Sequence, residues 1–209
     1  KMAMLYMTKH YKDVQSISIQ DYVQLTTAGN PAGKTKIAVI YAEGEIMDGE
    51  ALEQVASDRF VRIIQKVRND KNVKAVVLRV NSPGGSVLAS EKIKTEIELL
   101  QKRMPVVASF GSYAASGGYW ISAGCDKIFT NATTLTGSIG VFSMIPDFQK
   151  TVEKKLHVGM VCVNSNKHAD MYGMMRPLDG AEVKYMQKSV EKIYERFIGI
   201  VADGRSMQV

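Results

Sequence analysis

Apolar and polar residues follow two periods along this chain, and segments of the two kinds alternate. Three apolar runs rich in β-branched residues, at residues 36–41, 73–80 and 106–110, predict buried strands. Other segments place apolar residues at steps of three and four, which predicts amphipathic helices. The first such helix carries Phe60, Ile63, Ile64 and Val67. Strand and helix in repeated alternation are typical of an α/β fold with a largely parallel sheet.

The remaining segments continue this alternation up to about residue 202. Helices are predicted at residues 86–102, 114–125, 147–156 and 183–200. Short strands are predicted at residues 127–130, 134–136 and 158–163. Residues 1–34 keep neither period and end in a glycine- and proline-rich turn, which indicates the tail of a preceding unit plus a linker. We therefore expect one α/β domain at residues 35–209, and its ends suggest a piece of a longer protein.

Composition narrows the class of protein. The chain has 209 residues, of which 45% are hydrophobic and 23% charged, so it can bury a core and is not wholly disordered. No apolar run is long enough to span a bilayer. The net charge of +6 is scattered along helices that also carry acids, which does not favour nucleic-acid binding. Cys125 and Cys162 lack metal-site spacing and have small or apolar neighbours, which predicts two buried free thiols and no metal site. No cofactor motif was found, since the phosphate-binding patterns are missing.

Two segments combine residues that packing alone does not explain. Residues 81–86 (NSPGGS) lie between a predicted strand and a predicted helix, where consecutive glycines can direct N–H groups at an anion or an oxyanion. Residues 111–120 (GSYAASGGYW) repeat that arrangement, and Ser116 begins the predicted small-residue helix. A serine there gains the field of the helix N-terminus. On position alone, a tight turn at the first segment and a capping role for Ser116 stay open as alternatives.

A serine nucleophile requires a base, and the sequence offers few. His10 lies in the tail, His157 at a helix–strand junction, and His168 in a polar loop, where an exposed histidine is the plainer interpretation. Lys167 follows Ser116 by about fifty residues, but its polar neighbours do not favour the neutral amine that a lysine base needs.

Taken together, these segments resemble the signal peptide peptidase A (protease IV) family of serine peptidases, which has a ClpP/crotonase-like fold. The resemblance covers about residues 35–207 and is carried by VVLRVNSPGGSV, by the stretch PVVASFGSYAASGGYWISAGCDKIFTNATTLTGSIGV, and by FIGIVADGRSM. It implies that Ser116 is the nucleophile. It also implies that the N–H of Gly84 or Gly85, with that of Gly117, binds the oxyanion. Residues 136–140 match the family segment that packs beside the site.

The chain departs from the family at the lysine of its Ser–Lys dyad. Short family members carry that lysine directly before an acidic residue, and alignment on Asp170 puts Ala169 there, with Lys167 two residues early. Long members carry the lysine in a first unit and the serine in a second. We therefore expect this chain to be the second unit, with the lysine supplied by an N-terminal unit; Lys167 is the alternative base.

The resemblance implies further properties. It predicts an endopeptidase that degrades cleaved signal peptides or similar apolar peptides without a cofactor. It also implies a ring- or bowl-shaped oligomer, held at the inner or plasma membrane by a segment outside this chain, with its catalytic domain extracytoplasmic. Two alternatives stay open: a crotonase-like acyl-CoA enzyme that stabilises an enolate with the same glycine N–H groups, and a non-catalytic structural unit of the assembly.

Overall fold

A computed structural model describes residues 35–209, so the predicted tail and linker at residues 1–34 lie outside the described residues. The described strands, in chain order, are β1 (Lys36–Glu43), β2 (Ile46–Met47), β3 (Val55–Ala56), β4 (Val73–Ser82), β5 (Val106–Ala115), β6 (Lys127–Phe129) and β7 (Leu135–Gly137). The described helices are α1 (Ser57–Asn69), α2 (Val87–Gln101), α3 (Gly117–Trp120), α4 (Gln149–Lys155) and α5 (Gly180–Arg205).

The main sheet has five strands, with β5 near its centre. Its order is β1-β4-β5-β6, and β7 pairs with the later part of β5. Strand β5 runs parallel to β4, β6 and β7, while β2 and β3 form a separate parallel pair. Helix α2 makes the crossover from β4 to β5. This arrangement confirms the predicted α/β fold with a largely parallel sheet.

The core lies between the main sheet and helices α1 and α2. Alternate residues of β4 and β5 face inward, among them Val76, Leu78 and Val106, and they share one buried apolar cluster with Phe60 of α1 and Ile93 of α2. Burial of these side chains is the main favourable contribution to folding here. The cluster holds α2 against the sheet, which fixes where the loop before α2 can lie.

A second apolar cluster attaches the long helix α5 to the short helix α3. Trp120 packs against Phe197, with ring centroids 4.6 Å apart, and Ala123 and Ile200 complete the contact. The later half of α5 therefore packs against α3. At its other end, α5 begins with a capping box: the Asp179 carboxylate accepts the N–H groups of Ala181 and Glu182, and the Glu182 carboxylate accepts the N–H of Asp179.

The structure corrects two predicted elements. The predicted helix at residues 114–125 is wrong over its first residues, because Ala114 and Ala115 continue β5 by pairing with Thr136 and Gly137 of β7. Only one helical turn, α3, follows. The predicted strand at residues 158–163 is also wrong: the segment is exposed and pairs with no strand among the described residues. A β-branched apolar run becomes a strand only where a neighbouring strand can accept its hydrogen bonds.

The two cysteines differ in burial. Cys125 is a buried free thiol, as predicted, and burial raises its pKa to about 12. The prediction for Cys162 is wrong, because this thiol is exposed in the segment that does not form a strand. Among residues 35–209, no helix combines the length and the apolar character that crossing a bilayer requires.

Candidate active site

Ser116 lies where β5 ends and α3 begins, in a backbone conformation that is rare for a residue with a side chain. Its φ is 50° and its ψ is −120°. Two backbone hydrogen bonds hold it there: the Ser116 N–H donates to the Gly137 carbonyl at 2.9 Å, and the Ser116 carbonyl accepts from Trp120 N–H at 2.9 Å. Such strain persists only where the surroundings enforce it, and it is concentrated at functional sites. The Ser116 side chain is half-buried and open to a cavity.

The turn between β4 and α2 brings two glycines against Ser116. Gly84 and Gly85 have φ values of 104° and 149°, which disfavour any side chain. Ile46 fixes the turn, since its N–H donates to the Gly84 carbonyl at 2.8 Å and its carbonyl accepts from Ser86 N–H at 2.7 Å. A Cβ on Gly84 would lie 2.7 Å from Ser116 Cβ and 2.6 Å from the Gly117 nitrogen. The backbone of the turn therefore passes directly beside Ser116.

We call the place where the turn meets Ser116 the corner; it consists of Gly84, Gly85, Ser116 and Gly117. Two N–H groups at this corner remain available to a ligand. The Gly84 N–H donates to Ser82 Oγ at 3.2 Å. The N–H groups of Gly85 and Gly117, by contrast, donate to no acceptor in residues 35–209. The Gly85 nitrogen lies 3.2 Å from the point that a Cβ on Gly117 would occupy, so the two groups are neighbours. Adjacent unpaired donors beside a serine hydroxyl can bind a developing oxyanion, and Gly85 rather than Gly84 has the free donor.

Ser116 and both glycines of the turn line a cavity of about 750 Å³. The cavity lies between the turn before α2 and the chain after β7. Its apolar lining comes from Pro83, Val87, Val141 and Phe142. Phe142 is 90% exposed, so it offers a large free apolar surface. A cavity of this size and lining suits an apolar side chain with adjoining backbone.

A polar cluster at the start of α2 supports the turn. Ser86 caps the helix: its hydroxyl accepts from Ala89 N–H at 3.2 Å and donates to Asp48 at 2.7 Å. Ser90 is fully buried and donates to the Ser86 carbonyl at 2.8 Å. Its Oγ lies 2.6 Å from the point that a Cβ on Gly117 would occupy. Ser90 therefore contacts both Ser86, at the end of the turn, and Gly117. Asp48 and Ser90 were not predicted from the sequence; only the capping pattern at Ser86 could have indicated this cluster.

A second polar contact joins α2, α3 and α5. Glu91 of α2 accepts a 2.7 Å hydrogen bond from Trp120 Nε1 and another from Arg196 of α5. These residues are 29 and 105 positions from Glu91, so no local sequence pattern could indicate their contact. The helix that follows Ser116 is thus held by an apolar cluster and by one shared carboxylate.

The segment at residues 136–140 packs beside the site, as the resemblance implies. Thr136 donates from its hydroxyl to the Ala114 carbonyl at 2.8 Å, and Gly137 accepts the Ser116 N–H. Ser138 and Gly140 then line the cavity. This segment therefore fixes Ser116 and supplies one wall of the cavity.

The described residues that line the cavity include no lysine and no histidine. Lys167 is 77% exposed, and its Nζ lies 3.9 Å from Asp179 at the start of α5. His157 lies two residues after the end of α4, and His10 lies outside the described residues. The structure thus brings together Ser116, Gly84, Gly85 and Gly117, and leaves Lys167 away from that cavity.

His168 belongs to an ion-pair network at the start of α5. Its Nδ1 lies 2.9 Å from the buried Glu182 carboxylate, which also accepts two hydrogen bonds from Arg176. Arg176 bonds Asp170 as well, and the guanidinium holds the pKa of both carboxyl groups well below their usual range. His168, Asp179 and Glu182 are close enough together to ligate a metal ion. Because Arg176 already neutralises Glu182, this cluster fits an ion-pair network better than a cation site.

Comparison with known protein families identifies the family of this chain. Residues 98–209 match Peptidase family S49, and residues 29–139 match the Clp protease family. The first match covers more than half of the chain. The chain belongs to peptidase family S49. This confirms the family that the motifs around Ser116 and the Gly84–Gly85 turn predicted.

Individual proteins agree with this assignment. Protease 4 of Haemophilus influenzae is 46% identical over 174 residues, which make up 82% of this chain and 28% of that protein. Protease 4 of Salmonella typhi is 44% identical over 203 residues, or 95% of this chain and 32% of that protein. The chain therefore spans less than a third of the length of either S49 relative.

The solved structures confirm the fold. A ClpP1 mutant from Listeria monocytogenes superposes with a TM-score of 0.53 over 81% of this chain and 73% of that one. The sequence identity is 14%, so the match concerns the fold alone. The S49 chain accordingly has the ClpP-like α/β fold that was predicted.

Proposed function

We propose that this chain carries the nucleophile and the oxyanion site of a serine endopeptidase that cleaves apolar peptides, including cleaved signal peptides. One observation carries the proposal: Ser116 opens onto an apolar cavity beside two unpaired N–H groups, those of Gly85 and Gly117. Membership of a peptidase family supports the same function.

The chemistry follows from this geometry. Ser116 Oγ attacks the scissile carbonyl carbon and loses its proton to a neutral lysine amine. The carbonyl oxygen becomes an oxyanion, which accepts hydrogen bonds from the Gly85 and Gly117 N–H groups. Collapse breaks the C–N bond, and the lysine returns the proton to the leaving amine. Water then attacks the acyl-enzyme by the same steps in reverse order, which releases the peptide acid and restores Ser116.

The lysine base comes, in this proposal, from a separate N-terminal unit. Support comes from the described cavity lining, which has no lysine, and from the ion pair of the exposed Lys167 with Asp179. A lysine that acts as a base needs a buried amine. The Lys167 side chain is 77% exposed. The alternative base remains Lys167, reached by movement of its loop.

Assembly and membrane attachment belong to the same proposal. We propose a ring- or bowl-shaped oligomer on the extracytoplasmic side of the inner or plasma membrane, anchored by a segment outside this chain. The segment after β7 supports assembly, because Phe142, Met144, Val161 and Val163 are more than four-fifths exposed. Exposed apolar residues of this number are characteristic of a protein interface.

The decisive experiment tests the nucleophile, Ser116, and the proposed external lysine base separately. The chain alone is expected to hydrolyse a fluorogenic apolar peptide barely or not at all, and addition of a lysine-bearing first unit is expected to restore hydrolysis. Ser116→Ala should abolish the restored activity, whereas Lys167→Ala should leave it intact. Restored hydrolysis that survives Ser116→Ala would end the assignment of the nucleophile. Activity of the chain alone that disappears in Lys167→Ala would move the base into this chain.

The two alternatives are tested by covalent labelling. A fluorophosphonate is expected to label Ser116 in the complete assembly and to leave Ser116→Ala unmodified. Neither an acyl-CoA enzyme nor a structural unit gives this result, and the former should instead bind CoA.

A further inference from the structure

The cavity beside Ser116 contains a single charged side chain among the described residues that line it. This is Glu45, in the turn between β1 and β2. The other lining residues are glycines, serines, a proline and apolar side chains. A lone carboxylate in such a lining favours a cationic group on a ligand over an anionic one.

The position of Glu45 is fixed by its backbone. Its N–H donates to Gln54 Oε1 at 2.7 Å, and its carbonyl accepts from Val55 N–H at 2.9 Å. The next residue, Ile46, is the one that holds the Gly84–Gly85 turn by two hydrogen bonds. The Glu45 backbone is therefore joined directly to the residue that holds the Gly84–Gly85 turn.

The charge of Glu45 is not compensated within the described part of the chain. Its carboxylate accepts no hydrogen bond and forms no ion pair there. The neighbouring Asp48 differs, since it accepts from Ser86 Oγ at 2.7 Å and lies 3.5 Å from Lys92 Nζ. Of these two carboxylates near the turn, only that of Glu45 remains available to a ligand.

We propose that Glu45 is a specificity-determining residue, which selects peptides that carry a Lys or Arg side chain close to the apolar side chain bound beside Val87 and Phe142. This inference rests on the proposed function, because it assigns a substrate class to the same cavity. The apolar part of the peptide contacts the apolar lining, and its ammonium or guanidinium group pairs with Glu45. Glu45 takes no part in the chemical steps.

The expected effect is modest, because the pair forms at the mouth of an open cavity. Charge pairs accessible to solvent change an equilibrium by about two- to fivefold, and salt weakens them. Peptides that differ only by Lys or Gln at the relevant position should therefore differ by about two- to fivefold in kcat/KM, and a Glu peptide should be the poorest substrate.

The test uses apolar fluorogenic peptides in which each flanking position in turn holds Lys, Gln or Glu, with the complete lysine-containing assembly. At one position, wild type should favour Lys, Glu45→Gln should lose the preference, and Glu45→Lys should reverse it in favour of Glu. The preference should shrink in high salt. Glu43→Gln is the matched control, since it removes the same charge from an exposed residue two positions away that does not line the cavity.

A parallel binding measurement keeps this inference separate from the proposed function. Anisotropy titrations of the same labelled peptides with Ser116→Ala should show the preference for Lys without turnover, and Ser116→Ala/Glu45→Gln should lose it. If wild type hydrolyses none of the peptides, the proposed function fails, while the titrations still decide the role of Glu45. Equal treatment of Lys, Gln and Glu peptides by wild type would overturn the inference. So would a preference that Glu45→Gln leaves intact, or that Glu43→Gln removes equally.

Discussion

Alanine at Gly84 is expected to damage catalysis far more than folding. The φ of Gly84, 104°, costs a residue with a side chain about 1–2 kcal/mol. The new Cβ would also lie 2.6 Å from the Gly117 nitrogen and 2.7 Å from Ser116 Cβ. Ser116 and the adjoining Gly117 nitrogen cannot move freely away from this Cβ, because Ser116 is held by backbone hydrogen bonds to Gly137 and Trp120. The substitution must therefore open the corner at which the two unpaired N–H groups meet.

Loss of one oxyanion donor lowers kcat by about 10²–10³, and we expect this range for Gly84→Ala in the assembled enzyme. The KM should change little, because the apolar side chains that line the cavity remain. Gly49→Ala is the matched control: its φ is 94°, so it has comparable backbone strain, but its Cβ would meet no atom within 4 Å.

The assay combines peptide hydrolysis, the rate of fluorophosphonate labelling at Ser116, and thermal unfolding. At this chain length each kcal/mol lowers Tm by about 2–4 °C, so Gly49→Ala should unfold a few degrees early, and Gly84→Ala, which also has the clash, earlier still. Only Gly84→Ala should lose hydrolysis and labelling together. If folded Gly84→Ala retained the kcat of Gly49→Ala, the proposed geometry of the oxyanion site would be refuted.

Three other predictions concern stability and the thiols. The fold lowers the pKa of Glu182, so its carboxylate should stabilise the fold above about pH 5, and this contribution should be lost as the pH drops below that value. Urea unfolding of Glu182→Gln should therefore depend less on pH than that of wild type. Ellman's reagent at pH 8 should modify only Cys162 in the native chain and also Cys125 after unfolding; rapid native modification of both would contradict the burial of Cys125. Phe197→Ala should cost about 3–5 kcal/mol in urea, because Phe197 is buried against Trp120, and Phe142→Ala less than about 0.5 kcal/mol; equal losses would contradict this packing.

Local sequence patterns predicted the elements whose conformation depends on their own residues. The strand-to-helix turn at Gly84 and Gly85 was predictable, because consecutive glycines between an apolar run and an amphipathic stripe permit the backbone conformations of a tight turn. The family motif predicted Ser116 as the nucleophile, and this stays a prediction. The pattern could not give the positive φ of Ser116 or the extension of β5 through Ala115, because both depend on pairing with β7, about twenty residues later.

Elements that depend on distant partners were predicted wrongly or missed. Residues 158–163 have the composition of a strand, yet they pair with no described strand, so Cys162 within them is exposed. The Ser86–Asp48 and Trp120–Glu91 contacts join residues 38 and 29 positions apart, and local periodicity contains no information on such pairs. Sequence analysis therefore predicted the residues of the corner but not the side chains that support it.

The way in which Ser116 is held is compatible with the proposed division of nucleophile and base between two units. The Ser116 hydroxyl has no hydrogen-bond partner among residues 35–209, so its position does not depend on a base. It is set instead by backbone hydrogen bonds to Gly137 and Trp120, and the opposing turn is set by Ile46. Each of these contacts lies within the described chain. A corner held by these backbone contacts keeps its shape before a base arrives. In the proposed mechanism, a lysine from outside would need only to approach the open cavity, without rearranging the groups proposed to bind the oxyanion.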